Sequence, residues 1–402
     1  MLTKQSTYEP FTTGKVVEYL KEGNYISKGS PVTCKEIGDG NLNYVFHVKE
    51  EDTGKSLIVK QALPYAKVVG ESWPLTLDRA RIESESLKEA AKYVPDLVPQ
   101  VYGTDEVYAA TIMEDLSDYT ILRNGLIEGR KYPKLAKDIG TFIAHTLFHS
   151  SDFGLEPSEK KLLATRFVNP ELCKITEDLV FTDPFFDHDT NDFPEELHPE
   201  VEALWEDDEL KLEAAKLKHL FLTKGEALIH GDLHSGSIFA TEDSTKVIDP
   251  EFSFFGPIGF DVGAFIANLI LNSLAQEARI EDETVRRDFQ GYLLDVIKET
   301  WNVFTAEFTR LWVEKGIDPF LSVPGYLDAV LDDILQDTVG FSGNKIIRRT
   351  IGLSHVEDVH GIEDPEKRLN VQREALKTGR HLILNRRNVN TIEDLINLIK
   401  GV

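Results

Sequence analysis

The residues of this sequence best suited to chemistry lie in two short segments, LIHGDLHSGSIF at 228–239 and VIDPE at 247–251. Each segment begins with an apolar run typical of a buried strand, and the run stops abruptly at charged or titratable residues. These residues are His230, Asp232, His234, Asp249 and Glu251. Side chains at the ends of buried strands commonly lie at the mouth of a cleft. The pattern therefore predicts a site that performs acid–base chemistry or binds a metal.

The charge of the chain limits which ligands are sensible. The 402 residues include 69 Asp and Glu against 44 Lys and Arg, which gives a net charge of -25. This charge repels nucleic acid and anionic membrane surfaces, so we expect neither as a partner. A ligand that carries phosphate would need local cations, backbone N–H groups or a divalent ion to offset the field.

The cysteine content and the start of the chain indicate the compartment. The two cysteines, Cys34 and Cys173, do not form a disulfide framework typical of secreted proteins. The opening residues MLTKQSTYEPFTTG lack the regions of a signal peptide, and no apolar run approaches the ~18 residues of a membrane span. We expect a soluble, cytoplasmic protein.

The first third of the chain is predicted to be rich in strands. Strands are expected at 33–37, 44–48, 56–61 and 107–113, with a Gly-rich turn over 38–43 and a helix over 77–93. After Met113 the composition changes, and the segments 133–150, 200–222, 260–278, 283–315 and 325–340 are predicted to be rich in helix. We therefore predict a nucleotide-binding lobe over 1–113, a hinge over 114–116 and a catalytic, substrate-binding lobe over 117–402.

The order of these elements and motifs resembles the bilobal protein-kinase-like fold, in its small-molecule phosphotransferase branch. His-Gly-Asp at 230–232 stands where protein kinases have His-Arg-Asp, and Asp-Pro-Glu at 249–251 stands where they have Asp-Phe-Gly. Ser237 replaces the Asn that usually binds metal, and an Ala-Pro-Glu segment is missing. The resemblance implies an α+β fold, with an antiparallel sheet in a small N-terminal lobe and a larger, mainly helical C-terminal lobe. The departures point to a small acceptor instead of a protein.

Within this branch the sequence is similar to the methylthioribose kinase family. The similarity rests on the blocks GDGNLNYVF at 38–46, KVVGESWPL at 67–75, TDPFFDHDTND at 182–192, HGDLH at 230–234 and IIRRTIG at 346–352. It implies ATP-dependent phosphorylation of 5-methylthioribose to 5-methylthioribose 1-phosphate in methionine salvage. It also implies ATP and Mg²⁺ as cofactors and a homodimer.

The expected nucleotide site draws on several parts of the chain. Gly residues let a backbone approach phosphate oxygens closely, an Asn amide can donate to them, and a Lys that closes an apolar strand can reach the α and β phosphates. A helix carboxylate should orient that Lys, and we favour Glu83 over Glu85. Residues two apart in an extended segment face the same way, so Asp249 and Glu251 are the expected Mg²⁺ ligands. The full set of expected contacts with ATP and its metal is Gly38, Gly40, Asn41, Asn43, Lys60, Glu83, the backbone of Glu114, Asp115 and Leu116 against the purine, and Asp249, Pro250 and Glu251.

The expected catalytic residue is Asp232, which would accept or steer the proton of the acceptor hydroxyl. A carboxylate with a pKa near ~4 is a weak base, so we expect orientation of the hydroxyl to matter more than proton removal. His230 is expected to brace the loop by hydrogen bonding, whereas His234 either contacts phosphate or substrate, or simply packs.

Arg348, Arg349 and Trp73 are the remaining expected substrate contacts. Adjacent residues on a helix diverge by about 100 degrees, so we favour Arg348 as the arginine that faces the sugar. Trp73 lies in a Gly-Glu-Ser-Trp-Pro segment and either covers the substrate like a lid or packs in a core.

Three alternatives are open on the residues alone. The first is a kinase of the same fold for choline, homoserine or an aminoglycoside. The second is a metal-dependent hydrolase, because His230, Asp232 and His234 alternate and would share one face of a strand. The third is a nucleotide-binding protein without catalysis.

Overall fold

The computed structural model describes residues 7–37, 43–66 and 70–401. These residues form two compact units. The first unit contains the described residues up to Asp118 together with Ile248–Phe252, and the second contains Tyr119–Val247 and the described residues from Ser253 onward. Asp249 and Glu251 therefore belong to the first unit, although they lie far along the sequence from its other residues. A single domain boundary drawn along the sequence does not show this.

The first unit is built on an antiparallel sheet. Its elements are α1 Thr13–Glu22, β1 Val32–Glu36, β2 Asn43–Glu50, β3 Ser56–Ala62, β4 Tyr65–Ala66, β5 Gly70–Pro74, α2 Asp78–Ala91, β6 Val101–Asp105 and β7 Ala110–Met113, with a 3-10 turn at Pro95–Leu97. Five of the strands pair in the order β1-β2-β3-β7-β6, and β4 pairs with β5. The strand β3 is thus central, which places Lys60 opposite Val45 on one side and Thr111 on the other.

Alternating side chains of this sheet form the core of the first unit. Phe46, Val48, Leu57, Val59 and Ile112 are buried together with apolar residues of α1. Because successive residues of a strand face opposite sides, Lys60 follows the buried Val59 and faces away from this core.

The second unit is mainly helical. Its elements are β8 Thr120–Ile121, α3 Leu122–Ile127, α4 Leu135–Ser150, α5 Pro157–Arg166, α6 Pro170–Leu179, α7 His198–Trp205, α8 Asp208–Thr223, β9 Ala227–Ile229, β10 Ile238–Ala240, β11 Thr245–Val247, β12 Phe254–Gly256, α9 Ile258–Arg279, α10 Glu283–Lys315, α11 Tyr326–Ile351, α12 Glu357–His360, α13 Pro365–Asn385 and α14 Ile392–Lys400. Short 3-10 turns lie at Asp183–Phe185, Glu195–Leu197, Ser235–Ser237, Pro319–Ser322 and Arg386–Asn388. The small sheets β11-β10-β8 and β12-β9 are antiparallel. The α+β class expected from the sequence is confirmed, with the antiparallel sheet and the helices divided between the two units.

The structure gives the bounds of the helices within two of the helix-rich segments. The segment 200–222 contains parts of two helices, and the Asp207 side chain accepts a hydrogen bond from the Leu210 N–H and caps the start of the second, α8. The helix in the segment predicted over 325–340 continues to Ile351, through Ser342, Gly343 and Asn344. These residues are poor helix formers, but close packing of α11 against its neighbours overrides their propensity.

Glycines permit this close packing of α11. A Cβ atom at Gly343 would lie 2.5 Å from the carbonyl oxygen of Gly379 in α13, and one at Gly263 in α9 would lie 2.8 Å from the carbonyl oxygen of Thr338. Both distances are far below van der Waals contact, so only glycine fits. The last turns of α11, which carry Lys345, Arg348 and Arg349, are thereby held in the middle of the second unit.

We predict that Gly343→Ala destabilises the protein by about 1–3 kcal/mol, because the added methyl group overpacks the contact between two helix backbones. The matched control is Gly291→Ala in α10, where a Cβ atom meets nothing within 4 Å. That substitution should stabilise by roughly 0.5–1 kcal/mol through helix propensity alone. Denaturant unfolding of both variants checks the difference, and equal effects at the two positions would contradict this account of α11.

The helix α9 is the one helix of the described chain that is long and apolar enough to cross a membrane by length and composition. Its most apolar window is 89% buried inside the structure. Burial by the surrounding helices explains the apolar composition, as in the core helix of a soluble protein.

Candidate functional site

The expected nucleotide-binding residues of the first unit meet around Lys60. The Lys60 Nζ atom lies 2.8 Å from Oε1 of Glu83 and also contacts Oδ1 of Asp249. Of the two helix carboxylates considered, Glu83 is thus the one that contacts Lys60, whereas Glu85 pairs with Arg81 at 3.0 Å. A lysine held between two carboxylates has a fixed ammonium group instead of a solvated one.

Burial and charge set the protonation of this group. Burial alone would lower the pKa of Lys60, but Asp249 and Glu83 hold it above its ordinary value, so the ammonium stays charged. Burial raises the pKa of Glu83 to about 7 against the opposing charge of Lys60, and the carboxylates of Asp249 and Glu251 add to the rise. Perturbed carboxylates of this kind are concentrated at functional sites.

Glu251 is the most deeply buried acid of the group. It forms an ion pair with Arg79, whose Nε atom lies 3.2 Å from Oε2, and it is hydrogen-bonded to the Asn43 side chain. Burial and the neighbouring Asp249 raise the pKa of Glu251. Asn43 was expected at the nucleotide phosphates, whereas the structure places its side chain against this carboxylate.

The pair Asp249 and Glu251 has the donor chemistry that Mg²⁺ prefers. A Mg²⁺ ion that also binds nucleotide phosphates usually takes only one or two carboxylates from the protein. In the part of the chain that the structure describes, no group of three or more His, Cys, Asp or Glu could hold a metal ion. The group has three carboxylates, of Glu83, Asp249 and Glu251, against two cations, Lys60 and Arg79. Its one excess negative charge would become one excess positive charge when a divalent cation binds. The residues present therefore fit a cation shared with phosphate.

The expected hinge residues follow β7 directly. The Glu114 N–H donates to the carbonyl oxygen of Gln100 at 2.9 Å. Oδ2 of Asp115 lies 2.9 Å from Nε2 of His47, and Oδ1 accepts from the Ser117 N–H. Leu116 is buried. This part of the chain is thus anchored to the sheet by Gln100 and His47.

Four expected ligand residues cannot be placed in this way. Gly38, Gly40 and Asn41 lie outside the described residues. Trp73 lies in β5, but its side chain is not among those described. Their roles stay predictions.

In the second unit, the loop after β9 carries Asp232. Asp261, in the first turn of α9, accepts the N–H of His230 at 2.6 Å and the N–H of Gly231 at 3.0 Å. Gly231 has a φ of +83°, a conformation that favours glycine and explains why an arginine does not occupy this position. His230 Nδ1 accepts from the Asp232 N–H at 3.3 Å, which confirms that His230 braces the loop.

Asp232 is surrounded by donors. Its Oδ1 accepts from Lys345 Nζ at 2.9 Å, while Oδ2 lies 3.3 Å from His234 Nε2 and 3.5 Å from Arg349 Nη2. Burial opposes ionisation, but the charge of Lys345, the hydrogen bond from His234 and the charge of Arg349 hold the pKa of Asp232 well below its usual range. Asp232 is therefore a carboxylate with a fixed orientation and little basicity.

His234 supports this carboxylate as a neutral donor. Its Nδ1 accepts the Gly236 N–H at 3.0 Å, which leaves the proton on Nε2, facing Asp232. Burial lowers the pKa of His234 to about 4 in spite of Asp232, so the ring is neutral at physiological pH. Ser237, the replacement for the usual metal-binding Asn, donates to the Asp232 carbonyl oxygen at 3.2 Å and braces the same loop.

Arg348 and Arg349 lie close together, and the preference for Arg348 as the arginine that faces the sugar stays a prediction. Both guanidinium groups donate to the Ser354 carbonyl oxygen, at 2.8 and 2.9 Å, and Arg349 is the one that lies near Asp232. The two Cα positions diverge by about 100 degrees, but the long side chains converge across this angle. Arg349 is also one helical turn after Lys345, which aligns both with Asp232.

Sequence reasoning missed three charged residues of this group: Lys345, Arg123 and Asp358. Arg123 Nε lies 3.1 Å from Oδ2 of Asp358, and Arg123 Nη2 donates to Asn268 at 3.1 Å. Lys345 lies outside the helix-rich segment predicted over 325–340 and was not connected with the two arginines that follow it. With the longer helix, the spacing Lys345, Arg348, Arg349 at i, i+3 and i+4 would have indicated one cationic face.

The arrangement expected for a metal hydrolase is also wrong. His230, Asp232 and His234 follow β9 in a loop and do not share one face of a strand. His230 is turned to the backbone of its own loop, and His234 donates to Asp232. The three side chains thus serve to fix the carboxylate.

Comparison with known proteins adds an independent line of evidence. Residues 33–296 match the model of a phosphotransferase enzyme family. The chain is 56% identical over 393 residues to the methylthioribose kinase of Geobacillus thermodenitrificans (strain NG80-2), which covers 98% of this chain and 97% of the relative. It is 53% identical over 376 residues to the methylthioribose kinase of Bacillus cereus (strain 03BB102), which covers 94% of this chain and 93% of the relative.

Solved structures support the fold alone. A glucosamine kinase matches with a TM-score of 0.51 at 11% sequence identity, over 92% of this chain and 83% of that chain. At this identity the likeness concerns the kinase-like architecture and not the acceptor.

Proposed function

The chain belongs to the methylthioribose kinase family, and we propose that the two groups of side chains described above divide the work of that enzyme between them. The protein transfers a phosphoryl group from ATP to a sugar hydroxyl of methylthioribose, in methionine salvage. The group around Lys60 serves the nucleotide, and the group around Asp232 serves the sugar. The product is 5-methylthioribose 1-phosphate.

In the first unit, Lys60 binds the nucleotide phosphates and Glu83 orients it. The close contact of Lys60 with Glu83 and Asp249 supports this role, because an ammonium fixed at a metal-binding carboxylate meets the same phosphates as the metal. We assign Gly38, Gly40 and Asn41 to the nucleotide phosphates, and Asn43 to the same site through its hydrogen bond with Glu251. The backbone of Glu114, Asp115 and Leu116 bonds the purine edge.

Asp249 and Glu251, joined through Pro250, would hold Mg²⁺. When bound, the ion neutralises charge on the phosphate oxygens. Arg79 and Asn43 fix the orientation of Glu251, which leaves the more exposed Asp249 as the principal ligand.

In the second unit, Asp232 orients the acceptor hydroxyl and receives its proton late in the transfer. The observation that carries this proposal is the carboxylate itself, fixed by Lys345, His234 and Arg349 and with a depressed pKa. Phosphoryl transfer has a loose transition state, so alignment of the nucleophile contributes more than proton removal. A weakly basic but well-oriented Asp232 suits this reaction.

Arg348 and Arg349 bind oxygens of the sugar and of the transferring phosphoryl group. Both are nearly buried, and their Nε atoms have no hydrogen-bond partner among the described residues. Buried guanidinium groups require partners, and an oxygen-rich ligand supplies them. Trp73 covers the substrate.

The enzyme is a homodimer, which light scattering of the purified protein tests directly.

An acceptor panel tests the proposed function. The pure protein with MgATP should phosphorylate 5-methylthioribose with a kcat/KM at least about 10²-fold higher than for choline, ethanolamine, glucosamine, homoserine or an aminoglycoside. Coupled ADP release measures the rates. Phosphorylation of another acceptor with no turnover of 5-methylthioribose would contradict the assignment.

A further inference from the structure

Lys345 is a buried lysine that contacts Asp232 and has so far been given no role of its own in phosphoryl transfer. It lies in α11 with a side chain that is 5% exposed. Its Nζ donates to Oδ1 of Asp232 at 2.9 Å and lies 4.6 Å from the centre of the Phe260 ring. A buried lysine is costly unless it is paired, so this position has a physical reason to be examined.

The surroundings of Lys345 fix its ammonium group in place. Asp261 faces it from the start of α9, and Arg348 and Arg349 repel it from its own helix. The ring of Phe260 packs against the ammonium as a cation–π partner. The attraction of Asp232 thus opposes both the burial of Lys345 and the repulsion from the two arginines.

The contact also constrains Asp232. A carboxylate with one free torsion can turn either oxygen toward a substrate, unless one of them is tied. Lys345 ties Oδ1, and His234 and Arg349 lie on the side of Oδ2. The carboxylate plane is therefore determined by α11 and by the loop together.

We propose that Lys345 is a positioning residue for phosphoryl transfer, which acts by tying Oδ1 of Asp232 and so fixing the plane of the carboxylate that aligns the acceptor hydroxyl. The proposal rests on the proposed role of Asp232. Lys345 reaches the site from a helix, so the rigidity of α11 is transmitted to the loop that carries the catalytic carboxylate. It also keeps Asp232 ionised, since the pKa of that carboxyl is held down chiefly by Lys345.

Kinetics of Lys345→Met separate this role from a structural one. We expect kcat to fall by about 10²-fold, as for a misplaced reacting group, while KM for ATP changes by less than about threefold. The acid limb of the pH profile of kcat should move to higher pH, because the pKa of Asp232 rises when its main cationic partner is lost. Lys345→Arg, which keeps the charge and a donor, should recover at least about tenfold of the loss.

Lys160→Met is the matched control. Lys160 is a buried lysine of α5, paired with Asp152 at 2.6 Å, and it has no assigned role in catalysis. Its loss should lower the melting temperature but leave kcat unchanged. If Lys345→Met also lowers only the melting temperature and leaves kcat and the pH profile intact, Lys345 is structural and the proposal is wrong. If Lys345→Met does not fold, Lys345→Gln, which keeps a donor, takes its place. A fall in kcat then supports the positioning role, and a fall in the melting temperature alone contradicts it.

A double variant distinguishes failure of this proposal from failure of the proposed function. In the Asp232→Asn background, Lys345→Met should lower kcat by less than about a further threefold, because both substitutions disable the same pair of side chains. Radiolabelled ATP measures these low rates. If Lys345→Met instead lowers kcat by the same factor in both backgrounds, Lys345 acts without Asp232. That result overturns this proposal alone. An active Asp232→Asn enzyme would instead remove the role of Asp232, and that of Lys345 with it.

Discussion

Asp232→Asn is expected to lower kcat by about 10³-fold, within the range that a positioned proton acceptor contributes. Asparagine has nearly the shape of aspartate but cannot accept the hydroxyl proton. Its single carbonyl oxygen can accept from Lys345 on one side or from His234 and Arg349 on the other, so its NH₂ group replaces an acceptor by a donor at the remaining position. The loss should appear in kcat, because an interaction with the reacting hydroxyl matters most in the transition state.

Binding of ATP should be largely unchanged in this variant, since the nucleotide group belongs to the first unit. Isothermal titration with ATP or ADP measures it. The matched control is Asp243→Asn, an exposed aspartate of the second unit, which should retain full activity. Asp232→Asn with normal folding and normal kcat would show that Asp232 is not catalytic.

Asp249→Asn is the second substitution with a large expected effect. We expect kcat/KM for MgATP to fall by about 10²–10³-fold and the Mg²⁺ concentration for half-maximal rate to rise, because an amide is a weaker ligand than a carboxylate for a hard cation. Excess Mg²⁺ should restore part of the rate. Binding of Mn²⁺ in the presence of ADP, followed by its EPR signal, should weaken in parallel and does not depend on turnover.

Asparagine is a suitable replacement at this position for a backbone reason. Asp249 has a φ of +66°, a left-handed conformation that aspartate and asparagine both tolerate better than most residues. The fold should therefore be retained, and Lys60 keeps Glu83 as its partner. An unchanged dependence of rate on Mg²⁺ in a folded Asp249→Asn enzyme would contradict the role of Asp249.

Strands, helices and the main site residues could largely be predicted from the sequence, because each depends on a local signal. The apolar run that ends at Lys60 predicted β3 to within one residue, and the helix of Glu83 was placed on the correct segment. The loop of Asp232 was recognisable because an apolar run stops at reactive residues. In each case the pattern and the packed structure agree.

The remaining features depend on packing and were not accessible in this way. The continuation of α11 past Gly343 requires Gly379 of α13, which lies far away in the sequence. Without that continuation, Lys345 could not be placed beside Asp232. The convergence of Arg348 and Arg349 on Ser354 likewise depends on long side chains whose directions only tertiary contacts determine.

The most direct test of the central claim is the identity of the product. The purified protein, incubated with MgATP and 5-methylthioribose labelled with ¹³C at C1, should give one phosphomonoester for each ADP released. In the NMR spectrum, C1 should show coupling to ³¹P, which places the phosphate on the anomeric oxygen. Phosphate on another hydroxyl, or ADP release without any sugar phosphate, would contradict the account.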